Sequence, residues 1–219
     1  MKWVPTPNQP FRTRLYLSDD KIDDMCSEAL SETHLLPAEP QPIRIDRFIE
    51  KKFRAQIIFE ELDKGILGFT AWGADSVEEI HIAQPAGNSP ILEHRRENST
   101  FAHEAGHCLM HTELYIEYSA LARDHPELPP FILCREERTN TIPRKPNPKW
   151  WEVQANRAIG SLLMPKPLIP IFLEPFYAKF GTTKLSTLTG KARWEIAEAA
   201  SNTFEVNQRV ARIRLGLPY

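Results

Sequence analysis

Three of the chain's seven histidines, His103, His107 and His111, recur every fourth residue in FAHEAGHCLMH, and a glutamate follows the first. On a helix, residues i and i+4 lie about 40° apart and one turn along, so consecutive members of this series share a face. The stretch lacks proline and begins after Asn98-Ser99-Thr100, which predicts a helix starting near residue 100. His103-Glu104-Ala105-Gly106-His107 is an HExxH match. Both imidazoles can reach one ion, and Glu104 stands beside them, where its carboxylate can take a proton from water at that ion. Zinc suits two neutral imidazoles and an oxygen ligand, and lowers the pKa of its water to about 7. Roughly one shuffled chain in fifty of this composition would contain such a match, so the motif competes with a helix carrying incidental polar residues. Gly106 weakens that second account. A mid-helix glycine costs about 1 kcal/mol relative to alanine, which points to a packing or access role.

A catalytic zinc needs a third protein ligand. His111 lies about 12 Å of helix rise from His103, too far to share one ion, and is read as packing or as a partner to a ligand. Downstream, WWEVQANRAIGSLLMP puts Glu152, Asn156, Ile159 and Leu163 on one helix face. Spacing alone leaves two readings of Glu152: the missing carboxylate ligand on a second helix, or a solvated glutamate favoured by the helix dipole.

Thr100 to His107, then His111, then Glu152-Val153-Gln154-Ala155-Asn156 and Leu162-Leu163-Met164-Pro165, resemble the ImmA/IrrE family of zinc metallo-endopeptidases. The family pattern is roughly a TLAHExGHxxxH helix, an ExxAN segment and a closing LLMP. The Gly68-Phe69 and Ile80-His81-Ile82 strands and the piece from Ala199 to Leu215 are similar too, so the resemblance spans about residues 43–165 and 194–215. It implies a gluzincin-like site, with His103, His107 and Glu152 as ligands of Zn2+ and Glu104 as general base. Well-known family members cut helix-turn-helix repressors, inducing mobile-element or stress-response genes. Residues 1–40 and 114–149 fall outside the common pattern. Ala158 stands where a phenylalanine-alanine pair is frequent, and Gly160 follows.

The rest of the chain supplies a scaffold. With 219 residues, 42% hydrophobic and 26% charged, one packed domain with a small appendage is expected. Ser18 caps a predicted helix over 19–30, and Ile45, Phe48, Ile49 and Phe53 define a second. Strands are predicted at 55–59, 66–72 and 77–82, and their turn residues suggest an antiparallel meander. Residues 1–18 read as an irregular arm and 124–149 as a proline-rich irregular segment. Helices near 191–203 and 207–215 close the chain. The fold class expected is α+β, a small antiparallel sheet on helices carrying the HExxH site. Its parts are an N-terminal arm and helix (1–42), a peptidase domain (43–180, insertion 114–149) and a C-terminal helix-turn-helix-like segment (181–219).

A net charge of -2 gives no whole-chain case for nucleic-acid or membrane binding. In residues 191–219, five basic side chains face three acidic ones, a small excess that favours docking on the peptidase domain over DNA recognition. No apolar run approaches the ~20 residues of a membrane span. Three scattered cysteines make no disulfide framework, so a cytoplasmic protein with reduced thiols is expected. Cys108 is read as core, and Cys134 as a small buried apolar residue ahead of a redox-sensitive thiol. Arg95 and Arg96 are read as exposed charges, with substrate positioning as the alternative. Nothing in the spacing singles out Tyr115 or Tyr118 as oxyanion donors. Ser76–Ala83 is the candidate exposed edge onto which an extended substrate would add as a strand, an ordinary internal strand being the alternative. The expected function is zinc-dependent hydrolysis of peptide bonds in a protein substrate, a helix-turn-helix repressor. The rival is a non-proteolytic regulator that binds a repressor or DNA, although such a module has no need of Glu104.

Overall fold

The structure is a computed structural model that describes residues 2–5, 13–85, 87–124 and 149–217. It is a mixed α+β chain. Strands β1 (Lys2–Pro5) and β2 (Thr13–Tyr16) pair antiparallel, Trp3 opposite Leu15. The arm expected to be irregular therefore carries a strand ladder. Its signal in the sequence is weak, because of the described residues in these two strands only Leu15 is buried.

Helix α1 (Asp19–Glu32) starts where Ser18 accepts a hydrogen bond from the Lys21 amide, with Asp19 and Asp20 in the first turn. Its buried stripe is Ile22, Cys26, Ala29 and Leu30. Helix α2 (Ile45–Phe53) buries Ile45, Phe48 and Ile49 and ends at Arg54, which takes a left-handed conformation at φ 58°.

Three strands follow at the expected places: β3 (Gln56–Glu60), β4 (Gly68–Trp72) and β5 (Val77–Ala83). The order in the sheet is β3-β5-β4, which corrects the antiparallel meander. β4 and β5 form the expected antiparallel hairpin, with Phe69 opposite His81, but β3 runs parallel to β5, Ile57 opposite Ile80. Parallel neighbours need a crossover. Here residues 61–76, β4 included, serve as that crossover, so β5 becomes the middle strand. Ile80 and Ile82 are buried beneath it.

Helix α3 (Pro90–Met110) is nearly three turns longer at its start than the predicted beginning near residue 100. Pro90 sits in its first turn, where the missing amide hydrogen costs nothing. Its second half is buried from Asn98 to Cys108 against the sheet, α2 and α5. Helix α4 (Thr112–Asp124) covers β4, and Trp72 stacks on Tyr115 with ring centres 4.8 Å apart. Helix α5 (Trp150–Leu163) packs along α3 and α1. Gly106 marks the crossing of α3 with α5: a Cβ there would stand 2.7 Å from the Ala158 Cβ. Small residues at both positions let α3 and α5 touch, which is the packing role the glycine implied.

Helix α6 (Leu168–Phe180) has no counterpart in the sequence reading. Pro175 within it removes an intrahelical bond and disguises the pattern. Helices α7 (Gly190–Thr203) and α8 (Gln208–Arg214) lie where expected. α8 docks on α5. Arg214 Nη2 meets Asp23 Oδ1 of α1 at 2.7 Å, its Nε donates to the Met164 carbonyl, and Ser161 also donates to Asp23. Among the described residues, no helix is long and apolar enough to cross a membrane.

Candidate metal centre

The crossing of α3 and α5 decides which side chains meet. One helical turn separates His103 from His107, and both face α5 at its first turn, where Glu152 sits. Their atoms converge: His103 Nε2 and His107 Nε2 are 3.0 Å apart, and Glu152 Oε2 lies 3.2 Å from the first and 3.7 Å from the second. All three residues are buried. Zinc bonds of about 2.0–2.1 Å at tetrahedral angles put donor atoms about 3.3 Å apart, close to this spacing.

The surrounding hydrogen bonds fix which nitrogens are available. His103 Nδ1 faces Asn156 Oδ1 at 3.2 Å. An amide oxygen only accepts, so Nδ1 carries the hydrogen and Nε2 keeps its lone pair. His107 Nδ1 faces His111 Nδ1 at 3.0 Å, and His111 Nε2 faces Gln154 Oε1 at 2.9 Å. By the same logic His111 donates from Nε2 and accepts at Nδ1, so His107 donates from Nδ1 and also keeps its Nε2 lone pair. Two lone pairs and a carboxylate oxygen then point at one spot, which requires a cation or a shared proton between them. Glu152 Oε1 is buried without a hydrogen-bond partner, a further feature that a bound cation would satisfy. The group fits a metal ion, and this donor set suits zinc.

Electrostatics agree. Burial pushes the His111 imidazole down to about 3, with the neighbouring His107 adding to the effect, and burial lowers His107 as well. Both are therefore neutral near pH 7, as ligation requires. Burial alone would raise the Glu152 carboxyl, but the His103 and His107 rings beside it outweigh that effect and hold it well below the usual carboxylate range.

Glu104 is fully buried one residue after the first ligand, and Thr70 Oγ1 of β4 donates to its Oε2 at 2.8 Å. His111 is 0% exposed and is not among the three converging ligands; it serves as a hydrogen-bond partner of His107. Arg95 and Arg96 lie away from the site. Arg95 binds Ser201 and Asn202 of α7, and Arg96 pairs with Glu93 at 2.6 Å, both well covered, so the expectation of exposed charges does not hold for Arg96. Tyr115 is buried with its ring 6.0 Å from that of His107. Cys108 is buried and free, with burial pushing its thiol up, as a core residue. Cys134 lies outside the described residues.

Ser76–Ala83 is not the edge strand. β5 is paired on both sides, so it has no free main-chain row to offer a substrate. The strand at that edge is β4.

Two residues of the site escape the sequence reading. Thr70 gives no signal in a short strand, where one polar residue among five is ordinary. Gln154 does leave one: it interrupts the buried stripe Trp150, Gln154, Ala158 at i, i+4 and i+8, and a polar residue inside an apolar helical stripe needs a buried partner.

No protein-family model matches the chain, and no curated protein matches it.

Proposed function

We propose that the protein is a zinc-dependent endopeptidase of the ImmA/IrrE kind, which cuts a helix-turn-helix repressor in the cytoplasm and so regulates transcription of a mobile-element or stress-response gene. The observation that carries this reading is the buried meeting of His103, His107 and Glu152 with Glu104 adjoining. A purely structural or binding site has no use for a buried carboxyl group beside the ligands. Burial of such a group is costly unless its environment uses it.

His103, His107 and Glu152 would hold the ion, with Asn156 and His111 fixing the two imidazoles. Zinc, when bound, supplies polarisation of the scissile carbonyl and acidification of water. Glu104 removes the proton from the attacking water and later delivers it to the leaving amine. Thr70 fixes the plane of the Glu104 carboxyl through Oε2, so the general base is preorganised before substrate arrives. β4 supports the peptidase reading further. Among the described residues it is an edge of its sheet, and its middle residue Thr70 touches the general base. An extended peptide added to that edge would lie beside Glu104 with its main chain hydrogen-bonded.

The test is co-expression with a candidate helix-turn-helix repressor, comparing the wild type with Glu104→Gln. Fragments that appear only with the wild type support the reading. Equal fragmentation by the variant overturns the role of Glu104, and an intact repressor bound by both proteins favours the non-proteolytic regulator.

A further inference from the structure

We propose that Gln154 is the positioning residue of the metal centre, acting through His111 to hold His107 in the tautomer that presents Nε2 to the ion. This rests on the zinc reading of the site. Four groups form one directed chain across three elements. Gln154 Nε2 of α5 donates to the Leu15 carbonyl of β2 at 2.8 Å. That contact orients the amide, so Oε1 can only face the opposite way, where it accepts from His111 Nε2 at 2.9 Å. His111 then has a single acceptor left, Nδ1, and takes the His107 Nδ1 hydrogen at 3.0 Å. Reversal of any one bond reverses all those after it: a flipped amide would offer hydrogens to His111 Nε2, move the His111 hydrogen to Nδ1 and push the His107 hydrogen onto Nε2. A protonated Nε2 cannot bind a metal.

Burial gives the chain its force. Gln154 is 4% exposed and His111 0%, so water cannot substitute for either partner. The anchor is a main-chain carbonyl of the N-terminal strand pair, held by the antiparallel register of β2 with β1 and by the buried Leu15 side chain. The N-terminal strands, far from HEAGH in the sequence, thereby determine the protonation pattern of a ligand on α3. His103 has a shorter arrangement, in which Nδ1 faces Asn156 directly. The two ligands are thus oriented independently, and loss of Gln154 should disturb only one.

The experiment has two readouts, neither of which depends on hydrolysis. The first is zinc affinity of the full chain, measured by competition with a chromophoric chelator, for the wild type and Gln154→Leu. Leucine keeps the size and removes the chain of bonds. Affinity should fall by about 10- to 100-fold, the usual effect of losing a group behind a ligand. The second is the nitrogen-15 spectrum of the histidines in the zinc-free wild type, which needs no variant and survives if Gln154→Leu fails to fold. His107 should show a hydrogen on Nδ1 and a bare Nε2. Unchanged zinc affinity in Gln154→Leu, or a wild-type His107 protonated at Nε2, overturns the proposal while leaving the peptidase reading intact. A wild type that binds no zinc at all overturns both. Absence of Glu104-dependent cleavage in a protein with the expected affinity loss and tautomer overturns only the peptidase.

Discussion

Gly106→Ala is the substitution whose effect follows most directly from the geometry. Its Cβ would sit 2.7 Å from the Ala158 Cβ and 3.3 Å from the Ala155 Cα. Carbon atoms in contact prefer about 3.5–4.0 Å, so α3 and α5 must part by about 1 Å at their crossing. Overpacking of this kind costs about 1–3 kcal/mol. Replacing a mid-helix glycine by alanine returns about 1 kcal/mol. The net loss is then about 1 kcal/mol, or about 2–4 °C in the unfolding midpoint of a chain this long. Metal binding should suffer more. The histidines lie on α3 and Glu152 on α5, and their 3.2 and 3.7 Å separations would widen with the helices. Zinc affinity should fall on the order of tenfold, comparable to disturbing a group that supports a ligand. Thermal unfolding with and without zinc, together with chelator competition, measures both quantities. Ala158→Gly added to Gly106→Ala removes the clashing methyl and should restore affinity, which gives the coupling by a double-mutant cycle. A Gly106→Ala protein that is about 1 kcal/mol more stable, with unchanged zinc affinity, would refute the close-crossing argument.

Three further outcomes are expected. Glu104→Gln should bind zinc and fold like the wild type but lose peptide hydrolysis, because an amide cannot take the proton; zinc content and fragment analysis check this. Arg214→Met leaves the buried Asp23 carboxyl with only the Ser161 hydroxyl, so stability should drop by about 3–5 kcal/mol, and a chemical-denaturation change under 1 kcal/mol would contradict it. Zinc-free protein should lose stability as the pH falls from about 6.5 toward 3: His111 has its ordinary affinity for protons when unfolded but is held down to about 3 in the fold, so below 6.5 the unfolded state binds the extra proton. The slope for one such histidine is at most about 1.4 kcal/mol per pH unit; flat stability between pH 7 and 5 would mean that His111 is not buried neutral.

The metal helix was legible because ligand spacing and helical period are the same information: His103 and His107 can share an ion only on a helix. Glu152 was different. Spacing left it between ligand and surface glutamate, since the angle at which α5 crosses α3 is set by Gly106 and Ala158, whose meeting is a long-range fact. The strands were legible from their turn residues, but not their order. The segments 55–59, 66–72 and 77–82 look alike whether they follow one another across the sheet or place the third in the middle. The middle position goes with the full burial of Ile80 and Ile82 on β5. Misplacing β5 carried the substrate-edge expectation with it. β1 and β2 were missed because of their described residues only Leu15 is buried, and α6 because Pro175 interrupts it.

The central claim is that this chain carries one metal ion at the α3–α5 crossing. The direct measurement is zinc content of the purified full chain after reconstitution and dialysis, alongside His107→Ala and Glu152→Ala. The wild type should retain about one zinc per chain and each variant should lose most of it, because two ligands hold the ion poorly. Retention of full zinc by His107→Ala, or none by the wild type, would contradict the assignment of His103, His107 and Glu152.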